Sequence, residues 1–281
     1  MKKFKALNKK DWQIYKKTIL TPLWIFAIFY LINIIILLVS YFTGNWSGLI
    51  QGEIAAAPAE ALSFMGNALF VVFPGLIYLL FVVIVMQNAL NEDKKIKCEL
   101  FHRSQPVTLW QRTASKFGVG ILGNSIIFLL MSIVNALVLN AVLLYIGSFD
   151  LSAALNGMFL AQLFYFKSAI VIGSFAFFMS AIFENSAFFK FVAILVGVNI
   201  IVTILNGVYG WSIPTPLRYF MALVHTNPVL NESTSQTFDL TTMIRANWSN
   251  LIFRLQTVYQ LLTAAALYLG GTYIYGKKEI S

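Results

Sequence analysis

Apolar residues in this chain come in long unbroken blocks, with polar residues confined to the gaps between them. Six blocks are long enough to cross ~30 Å of hydrocarbon at about 1.5 Å per residue: 23–42, 66–89, 119–146, 157–183, 188–207 and 253–275. A chain crossing lipid must satisfy its backbone groups internally, and blocks of this length do so as helices. The pattern therefore predicts an all-α polytopic membrane protein with six transmembrane helices forming a single transmembrane domain over 1–281. Only Glu184, Asn185, Ser186 and Ala187 separate the fourth and fifth blocks, which marks a tight helical hairpin. The first block follows a run of lysines, as a secretory leader would. At about 20 residues it exceeds a usual leader core, and no small-x-small site follows it, so it is read as a retained span.

Composition agrees: 59% of the residues are hydrophobic and 11% charged, a balance that no water-soluble core accommodates. The formal charge of +9 gains meaning from its distribution. Seven lysines precede Leu23, and Lys94, Lys95, Lys97, Arg103, Arg112 and Lys116 lie between the second and third spans. With Lys190, Lys277 and Lys278, these fall on one side of a six-span topology, while Arg218 and Arg245 fall on the other. Translocated short loops avoid lysine and arginine, so both termini are expected in the cytoplasm. The basic charge is then a topological signal, with affinity for anionic membrane lipids as a by-product. No basic stretch forms a recognisable RNA- or DNA-binding module, so no nucleic acid partner is expected.

Two connections stand out by length. The inner loop over 90–118 opens on Asn91, Glu92, Asp93, Lys94 and Lys95, passes Glu99, Leu100 and Phe101, breaks at Pro106 and resumes at Leu109. It reads as two short amphipathic helices around a proline, too long for a turn and too short for a domain, and is expected to rest against something cytoplasmic. The outer segment over 208–252 mixes Pro214 and Pro216 with aromatic residues, then turns polar after Asn231.

Candidate chemistry is sparse. Gly271 to Lys277 fits the spacing of a phosphate-binding loop, but Lys278 stands where a magnesium-binding hydroxyl is needed, and the motif ends a spanning helix. ATP, if it drives this protein, is bound by another polypeptide. His102 and His225 fall on opposite sides of the membrane, and Cys98 is the only cysteine, so neither a histidine pair nor a cysteine cluster holds a metal. The hydrolase constellations are missing too, and no catalytic site is expected in this chain. Lys167 is the one ionisable residue well inside a span and is a pathway candidate by default, although outward snorkelling gives it a structural reading. Asn33 and Asn135 are further pathway candidates, against the commoner use of such residues in interhelical hydrogen bonds. Three Asn-x-Ser sequons, at Asn45, Asn231 and Asn247, fall on the outer side, where chance in Asn- and Ser-rich loops is the simpler account.

Taken together, the chain resembles the membrane permease subunit of an ABC transporter of the type-2 exporter class. The stretch 7–21, with Trp12 and Tyr15 among lysines and Pro22 closing it, is similar to that family's amphipathic elbow helix on the inner leaflet. The inner loop resembles the family's coupling segment in Glu92, Asp93, Glu99, Leu100, Pro106, Val107 and Lys116, although Lys97 and Cys98 replace the usual Gly-Thr. The resemblance implies a half-channel in a bacterial plasma (inner) membrane, paired with a second permease copy or paralogue and served by two cytoplasmic ATP-binding subunits that hold ATP and Mg. The expected ATPase contacts on the coupling helix are Glu92, Asp93, Glu99, Leu100, Phe101 and Arg103. A secondary transporter or channel working without an ATPase is the alternative, and a membrane enzyme or assembly subunit a third.

Overall fold

The computed structural model describes residues 2–43, 58–92, 107–215, 217, 218, 220 and 255–280. Every element among them is an α-helix: α1 (Lys2–Phe42), α2 (Ala59–Phe70), α3 (Val72–Met86), α4 (Leu109–Tyr145), α5 (Leu151–Ile182), α6 (Ala187–Tyr209) and α7 (Leu255–Ile280). Five stretches are long and apolar enough to cross a membrane: α1 over Phe4–Ile36, α2 with α3 over Ala59–Met86, α4, α5 and α6. The sixth expected span, 253–275, falls on α7, which has 26 residues but a less apolar composition. Its polar residues turn inward. Thr257, Gln260 and Thr272 are all buried.

The segments 7–21 and 23–42, expected as an elbow helix and a separate first span, form one uninterrupted helix that runs through Pro22. A proline inside a helix removes one hydrogen bond and favours a kink, but neighbouring helices hold the chain on either side. Leu7, Asp11, Tyr15, Ile19 and Phe26 are buried along one face of α1, a stripe at near four-residue spacing that continues across the proline. Beyond it Trp24, Ile28, Leu31 and Phe42 are exposed, the surface expected against lipid.

The second span is divided at Val71, whose dihedrals stay helical at φ −76° and ψ −17°. The cause lies three residues on, where Pro74 offers no N–H to the carbonyl of Phe70, four residues before it. Asn135 of α4 takes that place, its Nδ2 donating to Phe70 O at 2.6 Å. The Tyr30 hydroxyl of α1 donates in turn to Asn135 Oδ1. One side-chain amide thus ties three spans together at the break.

α4 begins ten residues before the expected third span because a reciprocal capping box stops it fraying at Leu109. Thr108 Oγ1 accepts from the Gln111 N–H, and Gln111 Oε1 accepts from the Thr108 N–H, both at 3.3 Å. At its far end Gly147 adopts φ +74°, and Ser148 N–H donates to Leu143 O, a left-handed stop that turns the chain toward α5. Asp150 caps α5, its carboxylate accepting from Ala153 N–H at 2.6 Å, while its own N–H donates to Ser63 Oγ.

α5 is the central helix, packing against α2, α3, α4, α6 and α7. Tyr78, Val82, Met86, Phe128 and Phe177 fill the core around it. At Gly157 a Cβ would lie 2.2 Å from the Phe64 carbonyl oxygen, so α2 and α5 come backbone to backbone where a side chain would not fit. α6 is different: Ala187 is its only buried residue, and Ile194, Val196, Ile200 and Ile204 all face outward.

Candidate functional site

Three polar groups converge where the second span ends. α3 stops at Met86 and the chain turns through 87–91, with Asn88 N–H donating to Val85 O and Ala89 N–H to Met86 O, which leaves the Ala89 carbonyl at the turn for side-chain donors. Ala89 O receives two donors, Lys116 Nζ of α4 at 2.8 Å and the Tyr15 hydroxyl of α1 at 3.3 Å. Asn91 Nδ2 bridges to the terminal carbonyls of α5, donating to Ser180 O and to Phe183 O at 2.9 Å each. The turn is thereby fastened to α1, α4 and α5 at once.

Two neighbouring contacts extend this joint. Asp11, buried on the inward stripe of α1, accepts from Ser115 Oγ of α4 at 2.5 Å, with Lys10 Nζ 4.0 Å from its other oxygen. Lys278 of α7 donates to Ile182 O at 2.9 Å. Lys116 and Asp11 are 3% and 0% exposed, which decides how they must be read: charges this deep need designated partners, and removing a partner costs more than it would at a surface. The ends of α3 and α5, the start of α4, the basic half of α1 and the basic end of α7 therefore lie together. These are the ends that carry most of the lysines.

The joint also brackets the segment singled out by sequence. Glu92 is half-buried at the close of the turn, and Val107 and Thr108 lead directly into the capped start of α4. Asp93, Glu99, Leu100, Phe101 and Arg103 lie outside the described residues. Both entry and exit of 93–106 are consequently fixed to the bundle, by Asn91 and Lys116 at one end and the capping box at the other.

The three pathway candidates are not arranged as one lining. Asn135 is committed to the Phe70 carbonyl and Tyr30, and Asn33 Nδ2 donates within its own helix to Phe29 O at 2.8 Å. Lys167 lies at the middle of α5, 7% exposed, with its ammonium 5.7 Å from the Phe164 ring centre. Because α5 begins at Leu151, six residues before the expected boundary, Lys167 is too deep for the span to start beside it. Its register places it on the α7 side. Phe178 packs against Gly270 and Gly271, and Lys167 and Gln260 each precede that contact by eleven residues, about three turns, so they share a level and facing sides.

Sequence reading missed Asp11, Tyr15 and Ser115 as contributors. The signal for Asp11 was present: an acid at the core position of the stripe formed by Leu7, Tyr15 and Ile19 implies a buried partner. Nothing in the sequence pairs it with Ser115, 104 residues away.

The helical bundle and its broad apolar surface define the class, an integral membrane protein of α-helical type. No protein-family model, curated protein or solved structure matches the chain.

Proposed function

We propose that this chain is the permease subunit of an ATP-driven ABC exporter, with α7 as its sixth span, both termini cytoplasmic and the residues 93–106 forming the segment on which a separate ATPase pushes. The observation that carries this reading is the polar joint: Asn91, Lys116 and Tyr15 fasten the start of that segment to α1, α4 and α5. A displacement of 93–106 would move three helices together, because packed interiors shift as units and do not deform continuously. A solvated connector would need no such anchorage. On this reading the membrane is a bacterial inner membrane, the lysine-rich end faces the cytoplasm, ATP and Mg sit in the partner ATPase, and a second permease copy or paralogue completes the channel.

Purification in mild detergent tests the reading. A P-loop ATPase should co-purify, and its hydrolysis should uncouple from transport in Glu99→Ala and Phe101→Ala variants. Absence of any ATPase partner, or full coupling in both variants, would sink it.

Lys167 favours the second reading, a secondary transporter or channel, since a buried ammonium at the middle of a span is expensive to retain without use. In that case a proton or sodium gradient drives uptake or efflux in ATPase-free vesicles, and Lys167→Met abolishes it.

A further inference from the structure

The interior of the bundle contains two buried polar groups that face one another without hydrogen bonds. Ser132 of α4 is 0% exposed and Gln162 of α5 is 5% exposed, and among the described residues neither Ser132 Oγ nor Gln162 Nε2 has a partner. Two contacts fix how the antiparallel helices α4 and α5 are registered. Ile121 Cδ1 would lie 2.8 Å from a Cβ built at Gly173, and the Phe128 and Tyr165 rings stand 5.9 Å apart. Stepping eleven residues forward from Ile121 and eleven back from Gly173, about three turns on each helix, arrives at Ser132 and Gln162 on those same faces. From the ring pair, a single turn on each helix reaches the same two residues. Both routes place them opposite one another.

The level is also that of the break in the second span. Asn135, about one turn farther along α4, holds the Phe70 carbonyl that Pro74 leaves without its helical donor. Lipid cannot reach two side chains this deeply buried, and hydrocarbon would not satisfy them if it could. A serine hydroxyl both donates and accepts, and a primary amide nitrogen donates two protons. The molecule that suits both is small, uncharged and able to accept from the amide while exchanging a hydrogen bond with the hydroxyl.

We propose a water-binding site in the membrane interior between α4 and α5, level with the divided second span, with Ser132 Oγ and Gln162 Nε2 as its protein ligands. Buried waters in proteins serve such polar atoms and make about three hydrogen bonds each. Water here lets α4 and α5 shift against the kinked span without forming or losing a direct side-chain bond. The proposal is independent of whether an ATPase or an ion gradient powers the protein.

Water-edited solid-state NMR on the full chain in lipid bilayers, labelled uniformly with ¹⁵N so that glutamine side-chain amides and backbone N–H groups are both read, tests it. The Gln162 amide is assigned by its loss in Gln162→Leu, or by its displacement in Ser132→Val where the first variant does not fold. Polarisation from water should reach this amide severalfold faster than it reaches the backbone N–H of Ala169, which is fully buried two turns away on α5. Ser132→Val, which replaces the hydroxyl with methyl groups, should slow that transfer severalfold while leaving the backbone spectrum intact. Transfer to Gln162 as slow as to Ala169 would overturn the site, as would transfer unchanged by Ser132→Val.

Discussion

Asn91 has more riding on it than its place in a polar connection suggested. Its amide supplies donors to two carbonyls at the end of α5, and a leucine of similar size would leave both without them. Buried polar groups stranded in this way cost about 1–3 kcal/mol each, so Asn91→Leu should lower the thermal unfolding midpoint measurably in detergent. Asp11 makes a sharper comparison. Asp11→Asn keeps an acceptor for Ser115 and is expected to stay within about 1 kcal/mol of the parent, whereas Asp11→Leu removes it and should cost about 1–3 kcal/mol. Equal melting of the two variants would show that the acceptor is irrelevant. The sequence marked Asp11 as unusual without naming its partner, because hydrogen bonds between distant helices leave no periodicity within either one.

Elements were legible to the extent that their ends carry chemistry. The hairpin between the fourth and fifth spans was visible from Glu184 to Ala187, and α6 begins at Ala187. The third span was read late, at 119, because its first turns are polar; Thr108 and Gln111 hold them helical all the same. Continuity through Pro22 was not legible, since a proline after a basic amphipathic stretch is the usual mark of a boundary and only the packing of α1 on α3 and α4 overrides it. α7 coincides with the expected block 253–275 but is not among the five stretches apolar enough to cross a membrane, since it carries Thr257, Gln260 and Thr272, which are buried in the bundle where α7 packs on α5. The divided second span offers a quantitative test. Asn135→Leu should cost about 1 kcal/mol, within the range for interhelical hydrogen bonds in membranes. In a Pro74→Ala background, where residue 74 regains an N–H for Phe70 O, the same substitution should cost less, and a double-mutant cycle reads the difference. Additive effects would remove Pro74 from the explanation. Where α2 meets α5, Gly157→Val should destabilise by about 1–3 kcal/mol or more, since its Cβ would collide with the Phe64 backbone.

At the scale of the whole molecule, the charge count and the bundle agree on which ends belong together, though they rest on different physics. Lysine asymmetry concerns insertion across a membrane, while the joint concerns local hydrogen bonding, and the basic half of α1, the end of α3, the start of α4 and the end of α7 belong to both sets. Sidedness has a convenient reporter in Cys98, the only cysteine in the chain. A membrane-impermeant maleimide should label it in inverted vesicles and leave it unlabelled in intact cells; the reverse pattern would invert the topology and remove the segment from the reach of any cytoplasmic ATPase.

The Phe70 carbonyl also has implications for how the protein is made. A chain emerges from the ribosome N-terminus first, so the second span enters the bilayer before α4 does. Until Asn135 arrives, 65 residues later, that span carries a carbonyl its own helix cannot serve. Its completion is therefore a late event in biogenesis, and a nascent chain stalled ahead of the third span would present quality-control proteases with an unfinished helix.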